Sequence, residues 1–297
     1  DRDRKPDTCH LSQGLCAVSA RDLLLGIFVA LLLLRGITAW VEHRLLYKRR
    51  RVLHTRPEDV GLEAEDLHFC AEDGCNLHGW WFEHPEARGV MVICHGNAGN
   101  LADRLWMAQT LQDLPLHLFI FDYRGFGESE GIPREAGTAR DVRAALELAR
   151  QRWQARTGSE LPGILLYGRS LGGAIALQAA TDASVRALIL ESTFTSISEM
   201  GDRFYPWLLP RLLCMNPYRS DQRLGDVKVP VLVAHSPMDE VIPYDMGERL
   251  YSLAPKPWRF LPLQGSHDEA GWVTSPEYAA AMHRLVAETF PPPPQSS

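Results

Sequence analysis

The sequence predicts an α/β fold: a mostly parallel sheet of about eight strands flanked by helices, preceded by a transmembrane or membrane-associated helix. Three observations carry this expectation. From residue 62 onward, short apolar runs without polar alternation recur between helix-patterned segments, as parallel strands covered on both faces do. The turn residues Asp73-Gly74 separate the first two runs, so the sheet opens with a hairpin. Ahead of all of them, residues 23–41 are almost uninterrupted hydrocarbon.

That N-terminal stretch begins LLLGIFVALLLL and resumes after a single Arg35. As a helix its 19 residues would span about 28 Å, close to the ~30 Å hydrocarbon core of a bilayer. The flank that follows holds Trp40, Tyr47 and Lys48-Arg49-Arg50-Arg51, which suits an anchor rather than a signal-peptide cleavage site. Arg35 can snorkel toward the interface; a helix lying in the interface is the other reading. Residues 1–56 carry 11 Lys/Arg against 5 acids, a net +6, and the rest of the chain carries 20 against 32, a net −12. The total of −6 gives no reason to expect nucleic-acid binding, and the basic arm points to a membrane surface. Six basic residues between Arg44 and Arg56 place the body in the cytoplasm by the positive-inside rule.

The expected organisation is an anchor with its basic flank over 1–56, one catalytic domain over 57–290, and a disordered Pro-rich tail over 291–297. Strands are expected at 63–70, 75–82, 89–94, 116–121, 163–167, 186–190, 229–235 and 258–263. Helices are expected at 100–113, 137–156, 171–182, part of 196–213, 244–253 and 276–290. The six cysteines make no disulfide framework, and none has structural-zinc spacing. Cys70 and Cys75 face each other across the first hairpin, where a disulfide is conceivable; Cys94 reads as a core residue; Cys9 and Cys16 sit where acylation would add a second anchor. No metal or cofactor is called for.

The chemistry lies at strand ends. Gly168-Arg169-Ser170-Leu171-Gly172 follows the strand GILLY and opens an Ala-rich helix, which is G-x-S-x-G in strand–turn–helix context. Gly168 and Gly172 leave room for a strained turn that holds the Ser170 hydroxyl above the sheet. A serine nucleophile needs a base and an orienting acid. Of the later histidines, His283 is mid-helix, His235 ends a strand, and His267 lies in a loop beyond one, where open α/β sheets collect catalytic groups. His267 is therefore the expected base. Asp239, beyond the strand VPVLVAH, is the expected acid, with Glu240 its nearest competitor. The oxyanion donors are expected to be the backbone N–H groups of Leu171 and Asn97, with His95 and Gly96 shaping the second loop. Asp122 and Arg124 are expected to brace their loop, and Glu191, Ser192 and Ser196 to cap a helix. Residues 204–213 either line an acyl pocket, touch lipid, or pack in the core.

As a set, HGNAGN (95–100), FDYRGFGESEG (121–131), GRSLGGA (168–174), LESTFTS (190–196), AHSPMDEVIP (234–243) and GSH (265–267) resemble the α/β-hydrolase superfamily, and within it a group of membrane-anchored serine hydrolases. The resemblance spans about residues 60–290. It implies a carboxylic-ester or thioester hydrolase with Ser170, Asp239 and His267 as the triad, acting on acylglycerols, lysophospholipids or palmitoylated proteins. Some members are classed with serine aminopeptidases. Many relatives read Gly-His-Asn after the last strand where this chain has Gly-Ser-His-Asp, so the loop around His267 differs. A catalytically idle hydrolase fold that binds a partner at the membrane is the alternative from another class.

Overall fold

The computed structural model describes residues 19–269 and 275–292. Eight strands form one sheet: β1 (Glu65–Cys70), β2 (Asn76–Phe82), β3 (Val90–Cys94), β4 (His117–Asp122), β5 (Ile164–Arg169), β6 (Val185–Glu191), β7 (Val231–His235) and β8 (Pro257–Pro262). Their spatial order is β8-β7-β6-β5-β3-β4-β2-β1. β1 and β2 form the antiparallel hairpin, with His68 opposite His78, and β2 runs antiparallel to β4. Every other pairing is parallel. The hairpin and the βαβ units are thus as the sequence predicts.

The helices are α1 (Ala20–Leu46), α2 (Leu105–Leu111), α3 (Glu135–Thr157), α4 (Leu171–Ala176), α5 (Ile197–Phe204), α6 (Pro210–Leu213), α7 (Ser220–Arg223), α8 (Tyr244–Leu253) and α9 (Pro276–Thr289). Two apolar layers result because each central strand is apolar on both faces. Val90, Val92 and Cys94 of β3 point into the layer that contains Val142 and Leu146 of α3, Ile175 of α4 and Leu250 of α8. Met91 and Ile93 point into the layer that contains Met107 and Leu111 of α2 and Met282 and Leu285 of α9.

Two helices differ from expectation. α4 ends at Ala176 rather than 182, because Gln178 and Ala179 bond three residues back in tighter turns. The 196–213 segment is broken at Pro206 and Pro210, where Leu209 takes φ 47°.

α1 contains one stretch long and apolar enough to cross a membrane. Its last turns belong to the body. Thr38, Glu42 and Leu46 are buried, and Lys48–Arg49 runs parallel to Ala98–Gly99 as a two-residue ladder. The apolar span drawn over 23–41 is therefore shortened at its C-terminal end by body packing. The basic flank is engaged likewise: Arg50 pairs with Asp103, and Arg56 with Asp66 and Glu128.

Cys70 and Cys75 are free thiols, and Cys94 is a buried core residue. Cys70 faces Asn76 across the hairpin, not Cys75. Cys9, Cys16 and 293–297 lie outside the described residues.

Candidate active site

The sheet order reverses between β3 and β5, with β4 continuing on one side of β3 and β6 on the other side of β5. Loops leaving the C-terminal ends of β3 and β5 diverge there and leave a crevice. Ser170 follows β5, and His95, Gly96 and Asn97 follow β3, so the two loops meet in that crevice.

Ser170 holds φ 55° and ψ −125°, a conformation side chains rarely adopt. The surroundings fix it. Its N–H donates to the Glu191 carbonyl at 2.9 Å, and its carbonyl accepts from the Gly173 N–H and the Thr193 hydroxyl at 3.0 and 2.7 Å. A Cβ on Gly168 would fall on the Gly172 and Gly173 backbone, and one on Gly172 on the Cys94 and His95 carbonyls. Gly173, which sequence reasoning passed over, is equally constrained by Thr193 at 2.6 Å. Gly96 is not: a Cβ there would meet Ser170 Cβ at an ordinary 3.5 Å.

Three side chains from three strand ends stand in one hydrogen-bonded row. His267 Nε2 lies 3.1 Å from Ser170 Oγ, and His267 Nδ1 lies 2.7 Å from Asp239 Oδ2. Asp239 Oδ1 accepts the N–H groups of Val241 and Ile242 at 2.9 and 2.7 Å. Burial pushes the Asp239 carboxyl up. Hydrogen bonds with His235 and His267 and from the Ile242 N–H outweigh it and hold the group well below the usual carboxylate range. Glu240 sits elsewhere in the network, accepting the His267 backbone N–H at 3.0 Å.

Supporting residues include several that sequence reasoning did not assign. Arg169, the variable position of the serine motif, donates to the His267 carbonyl and to Glu191 Oε1, the latter at 3.1 Å. Tyr167 donates to the other Glu191 oxygen at 2.7 Å. Glu191 is thus a buried ion-pair partner and not the helix cap expected of it, because β6 delivers it into the layer beside Arg169. Ser196 does cap α5, accepting from the Glu199 N–H. His235 stands behind Asp239, with Nε2 donating to the Ile242 carbonyl at 3.0 Å and lying 3.4 Å from Asp239. A Cβ on Gly247 would strike the His235 ring, which explains that glycine in α8. Only the four-residue spacing of His235 and Asp239 signals this contact in sequence.

His95 is fully buried, stacked on Tyr123 with Nδ1 donating to the Gly96 carbonyl at 2.7 Å and Nε2 3.2 Å from Asp122. It shapes the loop as expected. Arg124 braces its own loop through Asp141 and Asp73. Its hydrogen bonds hold the Asp73 carboxyl down at about 2. Leu171 is the first residue of α4, where N–H groups lack intrahelical partners. The Asn97 side chain donates to the Leu45 carbonyl of α1 at 3.0 Å. His283 is exposed on α9.

Two cavities meet at Ser170. One, of about 380 Å³, is mainly apolar and includes Val41 and Leu45 of α1, Phe194, Met200, Phe204 and Leu208. The other, of about 350 Å³, is polar and includes Arg50, Asp103, Arg104, Arg169 and Asp268. Residues 204–213 are thus divided among the apolar cavity, an exposed surface and the buried interior, where Leu213 lies.

Away from this crevice, Asp66, His68 and His78 each offer one ligand atom within 4.8 Å of the others. Arg56 and Glu128 join them, and the group reads as an ion-pair network tying the hairpin to the β4 loop.

Comparison with known proteins agrees with this fold. An uncharacterized protein of Mycobacterium tuberculosis is 36% identical over 222 residues, covering 73% of this chain and 77% of that one. The α/β hydrolase domain-containing protein WAV2 of Arabidopsis thaliana is 34% identical over 216 residues, covering 67% and 69%. The chain belongs to the α/β-hydrolase superfamily. The family model described as serine aminopeptidase, S33, matches residues 85–220 of this α/β-hydrolase. Protein bem46 of Schizosaccharomyces pombe is 34% identical over 207 residues, covering 66% and 68%. Among solved structures, the Pyrococcus furiosus esterase Pf2001 superposes with a TM-score of 0.66 at 17% identity, covering 82% of this chain and 99% of that one. That likeness speaks for the fold.

Proposed function

We propose that this α/β-hydrolase is a membrane-anchored serine hydrolase that cleaves carboxylic esters or thioesters of acyl substrates, lipid or acylated protein, without a cofactor. The observation that carries the reading is the Ser170–His267–Asp239 row, whose Ser170 lines an apolar cavity. Ser170 Oγ attacks the acyl carbonyl carbon while His267 Nε2 takes the hydroxyl proton. Asp239 holds the Nδ1–H tautomer and stabilises the imidazolium. The N–H groups of Leu171 and Asn97 receive the developing oxyanion. His267 returns its proton to the departing alcohol or thiol, which leaves on the polar side by Arg104 and Arg169. Water, activated by the same imidazole, then hydrolyses the acyl-enzyme.

An aminopeptidase needs a free carboxylate for the substrate amine. The carboxylates lining the apolar cavity, Glu42 and Glu240, both already accept backbone N–H groups. The mainly apolar lining of that cavity favours acyl esters over aminoacyl substrates. The anchor is α1, and its basic flank favours a cytoplasmic body.

A fluorophosphonate probe is expected to label the wild-type chain and not Ser170→Ala. p-Nitrophenyl acyl esters are expected to be cleaved in preference to aminoacyl anilides. Absence of labelling in folded wild-type protein would leave the idle binding fold as the better reading. Protease digestion of the body in sealed right-side-out vesicles would refute the cytoplasmic placement.

A further inference from the structure

Residues 20–37 of α1 stand almost wholly exposed, about 27 Å of helix. From Thr38 onward the helix is built into the body. Thr38 Oγ1 donates to the Leu208 carbonyl at 3.4 Å. The Glu42 carboxylate accepts the backbone N–H groups of Met215 and Asn216 at 2.8 and 2.7 Å. Leu45 offers its carbonyl to Asn97, which lines the same cavity as Ser170. These contacts give the site a direction. Asn97 meets α1 at its foot, beside the nucleophile, and Leu208 meets it two turns higher, about 10 Å nearer the exposed span.

Between those levels α1 is a wall. Thr38, Val41 and Leu45 line the apolar cavity together with Phe194, Met200 and Leu208. Phe204 and Tyr205 line the same cavity and are 44% and 38% exposed, so it reaches the surface on this side. In the same segment, Trp207 and Leu212 are 68% and 70% exposed. On α1 at the same level Trp40 is exposed, with the Arg44 guanidinium over its ring at 5.6 Å. An apolar, Trp-bearing surface continuous with a membrane-length helix has the composition of an interfacial belt.

The geometry points to a pocket that the anchoring helix itself completes and that opens into the leaflet around α1, so that the substrate is a single-chain acyl ester drawn sideways from the bilayer with its tail against Val41. At about 380 Å³ the cavity lies near the small end of the roughly 300–1,000 Å³ of ligand pockets, which suits one acyl tail rather than two. Glu42 acts as a positioning residue, joining the α1 wall to residues 215–216 that follow α6. The inference rests on the reading of Ser170 as the nucleophile.

The test uses the full chain in phosphatidylcholine vesicles and in detergent micelles, with p-nitrophenyl palmitate and p-nitrophenyl butyrate as probes. Val41→Trp, and independently Leu208→Trp, fill the cavity. Each is expected to lower the palmitate-to-butyrate ratio of kcat/KM about tenfold. Trp207→Glu combined with Leu212→Glu is expected to lower the vesicle-to-micelle ratio of palmitate hydrolysis several-fold. Ratios within about twofold of wild type in both tryptophan variants overturn the α1 wall, and an unchanged vesicle-to-micelle ratio overturns entry from the bilayer. A wild-type chain that cleaves neither ester and takes no fluorophosphonate label overturns the nucleophile reading, and this inference with it.

Discussion

At Ser170 a strained backbone, an imidazole at 3.1 Å and a carboxylate behind it are held by neighbours that have little other role. Asp239→Asn keeps the shape but offers an amide where the imidazole N–H needs an anionic acceptor. kcat is expected to fall on the order of 10⁴-fold, and the unfolding temperature is expected to fall as well, because the fold holds this carboxyl ionised. Steady-state kinetics on p-nitrophenyl butyrate alongside circular dichroism checks both parts. Gly172→Ala drives a methyl group into the Cys94 carbonyl, so β3 and α4 must separate. A loss of about 1–3 kcal/mol is expected from urea unfolding. Gly225→Ala, where nothing lies within 4 Å, is expected to stay within ~0.5 kcal/mol. The residues of the row were legible because the chemistry demands an ordered Ser, Asp, His beyond strand ends. Arg169 and His235 were not, since an arginine inside a turn motif and a histidine at a strand end carry no partner information until the sheet brings Glu191 and Asp239 beside them.

Among the elements, α1 departs most from its sequence signature. Hydropathy reads it as a tether, because the most apolar window lies almost wholly in the exposed part and says nothing of the docked turns that follow. The distinguishing residues are Thr38 and Glu42, polar positions one turn apart in an apolar helix. Glu42→Ala would leave the Met215 and Asn216 N–H groups without their acceptor, at about 1–3 kcal/mol for the buried Asn216 group and less for the part-buried Met215 group. A lower unfolding temperature in detergent is expected, with Glu42→Gln retaining part of the stability because its amide oxygen still accepts. Equal stability of Glu42→Ala and wild type would mean that water replaces the carboxylate at that joint. The strands were legible at nearly every position, since apolar runs of five to seven residues between Gly- and Pro-rich turns have few alternatives. α4 and the 196–213 segment were not, because periodicity does not record where a helix tightens or a proline breaks it.

For the whole molecule, acid is the informative perturbation. Asp239 and Asp73 are both held below the ordinary carboxylate value, Asp73 at about 2. A carboxyl whose folded pKa is depressed binds its proton more readily in the unfolded chain. Its stabilisation is therefore complete above the unfolded value of about 3.9 and drains away as pH falls toward the folded value. Urea midpoints are expected to decline gently below about pH 6, as the unfolded chain protonates His117 whose burial holds it down at about 4, and steeply below about pH 4. The loss should be smaller in Arg124→Met, which removes the cation that holds Asp73 down.

By itself, the sequence determined the sheet with its leading hairpin, the apolar N-terminal stretch and the identities of Ser170, Asp239 and His267. Each of these follows from local rules: side-chain periodicity, turn chemistry, and the order in which reactive groups follow strands. The tertiary structure decided where α1 stops being a membrane-length rod and becomes a wall of the apolar cavity, and which acids the basic flank meets. It also decided how Glu191, Arg169 and His235 support the row. Apart from the His235–Asp239 contact, those outcomes depend on contacts between residues about twenty to more than a hundred positions apart, for which the chain carries complementary groups but no local pattern.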